Sequence, residues 1–217
     1  VYAGLRPLVA NNKSATTTKL SREHTVDRPA AGFVSIAGGK YTTYRVMGKD
    51  VVDRAVIELR KLTQESVTEK LPLVGADGYF ALEQQKERIA QESGLDVETV
   101  THLLNRHGSL ISEILEIIEE QPKLAAKLDA NLPYIKAEIV YATSHEGARS
   151  VDDVISRRTR LSFEAVNHGV HLADDVAALI APVLGWSAKE RKDSVAQYIE
   201  LVEREIVALD ELLEVNS

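Results

Sequence analysis

A glycine pair followed by a lysine and three hydroxyl-bearing residues, Gly38-Gly39-Lys40-Tyr41-Thr42-Thr43, is the part of this chain best suited to hold an anion. Glycines let a backbone approach a ligand closely. A helix opening directly behind them offers unpaired N–H groups and the positive end of a helix dipole. Lys40 adds a full positive charge at the same place. The spacing matches neither the GxxxxGK[ST] phosphate loop nor the GxGxxG dinucleotide fingerprint. On spacing alone two readings stand: an anion cradle, or a tight strand-to-helix turn that leaves a lysine exposed.

Two arginines precede it. Arg6 lies in Gly4-Leu5-Arg6-Pro7-Leu8, where Pro7 biases the arginine toward an extended backbone and a fixed direction. Arg22 lies in Ser21-Arg22-Glu23-His24. A guanidinium forks two N–H bonds onto a phosphate or carboxylate, so two of them converging on one pocket would clamp a phosphate. Taken singly, each equally fits a surface position or an ion pair with a neighbour such as Glu23.

Weaker signals lie downstream. His168 and His171 stand three apart near Asp174 and Asp175, a spacing a metal site uses, but no third ligand is in register and no metal is expected. Arg157, Arg158 and Arg160 read either as a phosphate patch or, preferably, as ion pairs with Glu138, Glu146 and Asp153. Trp186, the one tryptophan, follows Gly185 and reads as a core plug or a contact surface.

The elements that position the glycine turn follow from pattern. Residues 1–9 read as an extended segment and 10–19 as a polar loop. Ser21 to Asp27 reads weakly as a strand, and Gly32 to Ala37 as a short apolar one. After the turn, Met47, Val51, Ala55 and Leu59 recur at steps of four, with Tyr44, Val52 and Val56 on adjoining rows, which predicts a helix N-capped by Thr42 or Thr43. Thr63 to Gly78, with Pro72, Gly75 and Gly78, reads as a linker. Beyond it the pattern is helical: Leu82 to Ser93, Val97 to His107, Leu110 to Glu119 and Tyr134 to Ser144, with glycine or proline just past several ends. Ser150–Asp153 and Ser187–Glu190 resemble capping boxes. Val195, Ile199, Val202, Ile206, Leu209 and Leu213 mark a long final helix.

Composition narrows the classes. The chain has 217 residues and no cysteine, which excludes disulfides, thiolate metal sites and a cysteine nucleophile. Its net charge of −7 is uneven: residues 1–63 carry 11 lysines and arginines against 5 acids, residues 64–217 carry 15 against 28. A small anion therefore belongs with the first part, and the acidic part is a poor surface for nucleic acid or anionic lipid. No apolar run reaches the roughly 20 residues a membrane span requires. The opening Val1-Tyr2-Ala3-Gly4 lacks the basic region and apolar run of a signal peptide and reads as entry into the middle of a domain. A fragment of a longer protein is expected.

Taken together, Gly4-Leu5-Arg6-Pro7-Leu8, then Ser21-Arg22-Glu23-His24, then Gly38-Gly39-Lys40-Tyr41-Thr42-Thr43-Tyr44-Arg45 resemble the FAD-dependent, aerobic, membrane-associated glycerol-3-phosphate dehydrogenases. The resemblance continues through Leu71–Gly75, Ala137–Ala142 and Arg157-Arg158-Thr159-Arg160-Leu161, so that it covers essentially the whole chain. It implies that Arg6 and Arg22 lie in the substrate pocket and that Gly39, Lys40, Tyr41 and Thr42 contact FAD. It implies a mainly α fold: a truncated α+β remnant of an FAD/substrate domain at 1–63, a linker at 64–78 and an all-α helical bundle at 79–217.

The implied reaction is oxidation of sn-glycerol 3-phosphate to dihydroxyacetone phosphate, with electrons passed to a membrane quinone, at the cytoplasmic face of the membrane. Two alternatives remain, a glycerol-3-phosphate oxidase that uses oxygen and a helical oligomerisation or interaction module. A homo-oligomer is compatible with both, and no nucleic acid is expected. The GxGxxG fingerprint and the family's substrate-pocket histidine are absent from residues 1–217, so this piece alone is expected neither to retain FAD nor to turn over. Position 41 is tyrosine where leucine is commoner in the family.

Overall fold

A computed structural model describes residues 23–59 and 62–214, with side chains described through residue 208. The expected segments at 1–9 and 10–19 lie outside the described residues. The chain divides into two compact units, Val1–Pro72 and Leu73–Ser217. The fold is mainly α, as expected, and its one sheet among the described residues has two strands.

In the first unit, β1 (His24–Ala30) and β2 (Phe33–Gly38) pair antiparallel, with His24 opposite Gly38 and Val26 opposite Ile36. A register shift between Asp27 and Ala30 bends the hairpin near its tip. After the glycine turn, α1 (Tyr44–Glu58) packs against both strands. The predicted row Met47, Val51 and Ala55 is half-buried, but Leu59, on the same row, is exposed, as are Tyr44 and Val52. No described residue of this unit is fully buried, because two strands can cover only part of one helix face.

Charge therefore supplements packing here. His24 Nε2 lies 2.7 Å from Asp50 Oδ2, and Arg28 Nε lies 2.7 Å from Glu58 Oε2. Four residues of strand advance about 13 Å and eight residues of helix about 12 Å, so β1 and α1 run side by side, tied at two matched points.

The second unit is built from α2 (Tyr79–Glu83), α3 (Lys86–Ser93), α4 (Val97–His107), α5 (Ile111–Glu120), α6 (Lys136–Ser144), α7 (Leu161–Glu164), α8 (Ala173–Leu184) and α9 (Ala188–Glu214). The predicted helix at 82–93 is thus two helices broken at Gln84–Gln85. Its apolar residues form two clusters. Leu103, Ile111 and Ile114 anchor one, and Ile155, Val176 and Ile180 the other. Helix α6 divides them, giving Ala137 and Tyr141 to the first and Ile139 and Ala142 to the second. A helix buried on nearly every side carries little amphipathic signal; the span expected at Tyr134 to Ser144 contains it, starting two residues earlier.

Gly108, at the end of α4, shows why glycine stands there. Its φ is +59°, and a Cβ would lie 1.9 Å from the Gly75 carbonyl oxygen, which accepts a bond from the Ser109 N–H at 2.9 Å. The predicted box at Ser187–Glu190 forms in full: Glu190 Oε2 accepts from the Ser187 N–H at 2.7 Å, and Ser187 Oγ from the Glu190 N–H at 3.3 Å. At Ser150 only half forms, with Ser150 Oγ accepting from the Asp153 N–H at 3.0 Å. Asp153 reaches the Arg149 amide instead, because a π-helical segment, Asp153–Arg158, begins there and widens the turn.

Candidate functional site

Strand β2 ends at Gly38, and Gly38 and the following Gly39 both have φ +79°. At Gly39 glycine is required twice over. The backbone is left-handed, and a Cβ would lie 2.5 Å from Met47 Sδ and 3.2 Å from His24 Cβ. Residues Tyr41–Thr43 then make one 3-10 turn before α1 begins. Thr43 occupies the cap position of α1, but its hydroxyl turns back onto Lys40, donating to its carbonyl at 3.0 Å and accepting from its N–H at 3.2 Å. The expected threonine cap is replaced by a closed Lys40–Thr43 turn, because the 3-10 turn interposes itself between glycine and helix.

Lys40, Tyr41 and Thr42 are exposed on this turn, Tyr41 by 92 %. The Tyr41 and Tyr44 rings lie 6.3 Å apart, tilted by 37°. The Tyr41 and Thr42 amides have no backbone partner among the described residues, as the first amides of a helical segment must. An ammonium, two N–H groups without a backbone partner among the described residues and an aromatic ring on one short turn suit a planar group that gains negative charge.

Arg6 and Arg22 lie outside the described residues. Arg45, which closes the Gly38–Arg45 motif, points its guanidinium at Thr68 Oγ1, 3.5 Å away. The His24–Asp50 pair, beside Gly38 and Gly39, was not foreseen from sequence. Its only trace there is the matched spacing of His24 and Arg28 with Asp50 and Glu58. The pair forms part of an open groove that Val26, Asp53, Arg54 and Ile57 complete.

The second unit contains a buried polar group that the sequence reading assigned differently. Glu138, 2 % exposed on α6, was expected to pair with Arg157, Arg158 or Arg160. It instead accepts bonds from His102 Nε2 at 3.0 and 3.2 Å, from His107 Nε2 at 3.3 Å and from the Ile135 N–H at 2.9 Å. Arg106 Nε approaches to 3.6 Å, and its guanidinium lies 5.4 Å over the Tyr134 ring. Burial pushes the Glu138 carboxyl up, but the bonds it accepts from His102, His107 and the Ile135 amide outweigh it and bring it down to about 2. A signal was present: one acid among the apolar residues of α6 must find partners, but its histidine partners sit more than thirty residues away.

Arg157 pairs with Asp152 and with Asp153 at 3.0 Å, which bears out ion pairing there. Arg158 Nε donates to the Glu146 carbonyl at 2.9 Å. His171 pairs with Asp129 at 3.1 Å, and the His168 carbonyl accepts from the Tyr198 hydroxyl. Among the described residues no group of three His, Cys, Asp or Glu is placed to hold a metal ion. Trp186 packs against the α8–α9 core. No described helix is long and apolar enough to cross a membrane.

With this geometry in view, the likeness to known proteins is consistent along the chain. A family model described as the C-terminal domain of alpha-glycerophosphate oxidase matches residues 66–191. Glycerol-3-phosphate dehydrogenase 2 of Mycobacterium tuberculosis is 49 % identical over 208 residues, covering 96 % of this chain and 35 % of that protein. The mitochondrial glycerol-3-phosphate dehydrogenase of Mus musculus is 34 % identical over 198 residues, covering 89 % of this chain and 27 % of that protein. The X-ray structure of the glycerol-3-phosphate dehydrogenase from Bacillus halodurans complexed with FAD shares the fold. Its TM-score is 0.63 at 23 % identity, over 78 % of this chain and 35 % of that one. The chain spans about a third of the length of the bacterial relatives it matches.

Proposed function

The chain belongs to the family of the C-terminal domain of alpha-glycerophosphate oxidase, and from that premise we propose that it is the carboxyl-terminal part of an FAD-dependent glycerol-3-phosphate dehydrogenase. In this reading residues 1–63 contribute one wall of the FAD and substrate site, 64–78 link, and 79–217 form a helical domain. The complete enzyme converts sn-glycerol 3-phosphate to dihydroxyacetone phosphate and passes the electrons to a membrane quinone. It works against the inner face of the membrane from the cytoplasmic side.

The observation that carries this reading is the Gly38–Thr43 turn, which holds Lys40 and the Tyr41 and Thr42 amides outward on a closed hydrogen-bonded frame. FAD, when bound, supplies the two-electron acceptor, and its ring gains negative charge on reduction. Lys40 and the two amides stabilise that charge. Gly39 brings the backbone close, and the exposed Tyr41 ring offers an aromatic face. Arg6 and Arg22 bind the substrate phosphate and the developing carbonyl oxygen. The base that takes the substrate proton is supplied from outside residues 1–217, which taken alone neither retain FAD nor turn over.

Lys40→Met in the full-length, FAD-loaded protein tests the assignment. Removing a charge beside the reduced ring lowers the midpoint potential by about 30–60 mV, one to two factors of ten for a two-electron couple. An unmoved potential takes Lys40 out of the flavin site. Peroxide formation during turnover separates acceptors: a trace supports quinone, and one equivalent per glycerol 3-phosphate makes the protein an oxidase.

A further inference from the structure

Resting on the flavin-facing reading of the Gly38–Thr43 turn, we propose that His24 and Asp50 form a positioning pair that fixes the direction in which Lys40 and the first helical amides are presented. His24 pairs with Gly38 in the ladder, so its backbone holds the strand end from which the turn departs. Its Nε2–H donates to Asp50 Oδ2 at 2.7 Å, so its side chain holds the helix into which the turn runs. One residue thereby bridges the segment 39–49 at both ends. The His24 side chain is 19 % exposed and that of Asp50 40 %, so the bond is sheltered on the histidine side.

The pair also touches the glycine that makes the turn possible. A Cβ on Gly39 would meet His24 Cβ at 3.2 Å and Met47 Sδ at 2.5 Å, so strand, turn and helix are packed against one another at this point. The second tie between β1 and α1, Arg28 with Glu58, lies at the far end of the helix, where Arg54 joins it at 3.4 Å. Cutting His24 from Asp50 therefore leaves the far end anchored and frees the end that bears Lys40. A partly exposed pair adds little to stability. Its worth lies in geometry, since a displacement of about 1 Å at a reacting centre costs on the order of a hundredfold in rate.

The test uses the full-length protein with Lys40→Met run in parallel. His24→Leu, Asp50→Ala and their combination are compared with His24→Gln, which keeps a donor near the Nε2 position. Two readouts are taken: hydrogen exchange across residues 39–47 without FAD, and the two-electron potential with FAD bound. Each single disruption is expected to speed exchange in that segment about tenfold and to shift the flavin equilibrium about tenfold toward the oxidised form, about 30 mV. The double variant should be no worse than the singles, as for two partners in one bond. His24→Gln should stay within about twofold of wild type.

Lower thermal stability with exchange and potential unchanged would mean a purely structural pair, and the inference falls. If Lys40→Met moves the potential and His24→Leu does not, the inference fails alone. If Lys40→Met leaves it unmoved, the flavin reading fails and takes the inference with it. Should His24→Leu not fold, Asp50→Ala, which removes the acceptor and leaves the histidine in place, decides by the same two readouts.

Discussion

His102 Nε2 stands 3.0 Å from Glu138 Oε1, joining α4 to a carboxylate 2 % exposed at the centre of the helical domain. With His107, the Ile135 amide and Arg106 around it, this acid is surrounded by donors, and the buried ones, His107 and the Ile135 amide, lose this acceptor without it. Glu138→Ala is therefore expected to cost about 3–5 kcal/mol, the range for removing one partner of a buried charged group. Glu138→Gln, which can still accept one bond, should cost about 1–3 kcal/mol. Urea unfolding followed by far-ultraviolet circular dichroism measures both. An alanine variant within 1 kcal/mol of wild type would show that the network carries no stability.

The same carboxylate sets an acid limit. Its folded pKa, about 2, lies below the ordinary value of 4.5, so the folded form favours the ionised group. That stabilisation is fully present above pH 4.5 and is lost as the pH falls toward 2. Asp96, lowered first by the Thr99 amide at the start of α4, and Glu190, lowered first by the Ser187 amide, act in the same direction. Thermal midpoints should fall steeply between about pH 4.5 and 2 in the wild type and less steeply in Glu138→Gln. Parallel profiles would remove Glu138 as the source.

How much of this was legible beforehand depended on range along the chain. The strand, glycine pair and helix around Lys40 are local, and glycine and step-of-four spacing revealed them. The final helix and the Ser187–Glu190 box are local as well. Short-range hydrogen bonding defeated the reading at Thr43, whose hydroxyl prefers Lys40, and at Asp153, where a π turn shifts the register by one residue. Long-range pairing defeated it at Glu138 and His24: local pattern places α6 and β1 along the chain, not the hydrogen-bond partner that arrives from 26 or 36 residues away.

Gly39 and Gly48 lie nine residues apart and should respond oppositely to alanine. Gly39→Ala places a methyl 2.5 Å from Met47 Sδ on a backbone at φ +79°, a strain of about 1–3 kcal/mol. Gly48 lies within α1, where a Cβ would meet nothing within 4 Å, so Gly48→Ala should stabilise by about 0.5–1 kcal/mol. Thermal melts of the two variants check the signs. FAD affinity of the full-length protein should fall for Gly39→Ala and hold for Gly48→Ala.

Arg6 and Arg22 carry the proposed recognition of substrate, and kinetics of the full-length protein tests them directly. Each guanidinium makes a charge-assisted bond to an anion, worth about 1.5–3 kcal/mol, so Arg6→Ala and Arg22→Ala should each lower kcat/KM by about 10- to 150-fold. A loss in KM alone marks a residue that grips the phosphate equally before and during reaction. A loss in kcat marks one that meets charge growing on the carbonyl oxygen. Lysine in either place should recover only part of the loss, because a point charge lacks the two-pronged geometry. Inorganic phosphate should inhibit the wild type competitively and each variant more weakly. Near-normal kinetics and unchanged phosphate inhibition in both variants would place these arginines outside the substrate pocket, whatever Lys40 does at the flavin.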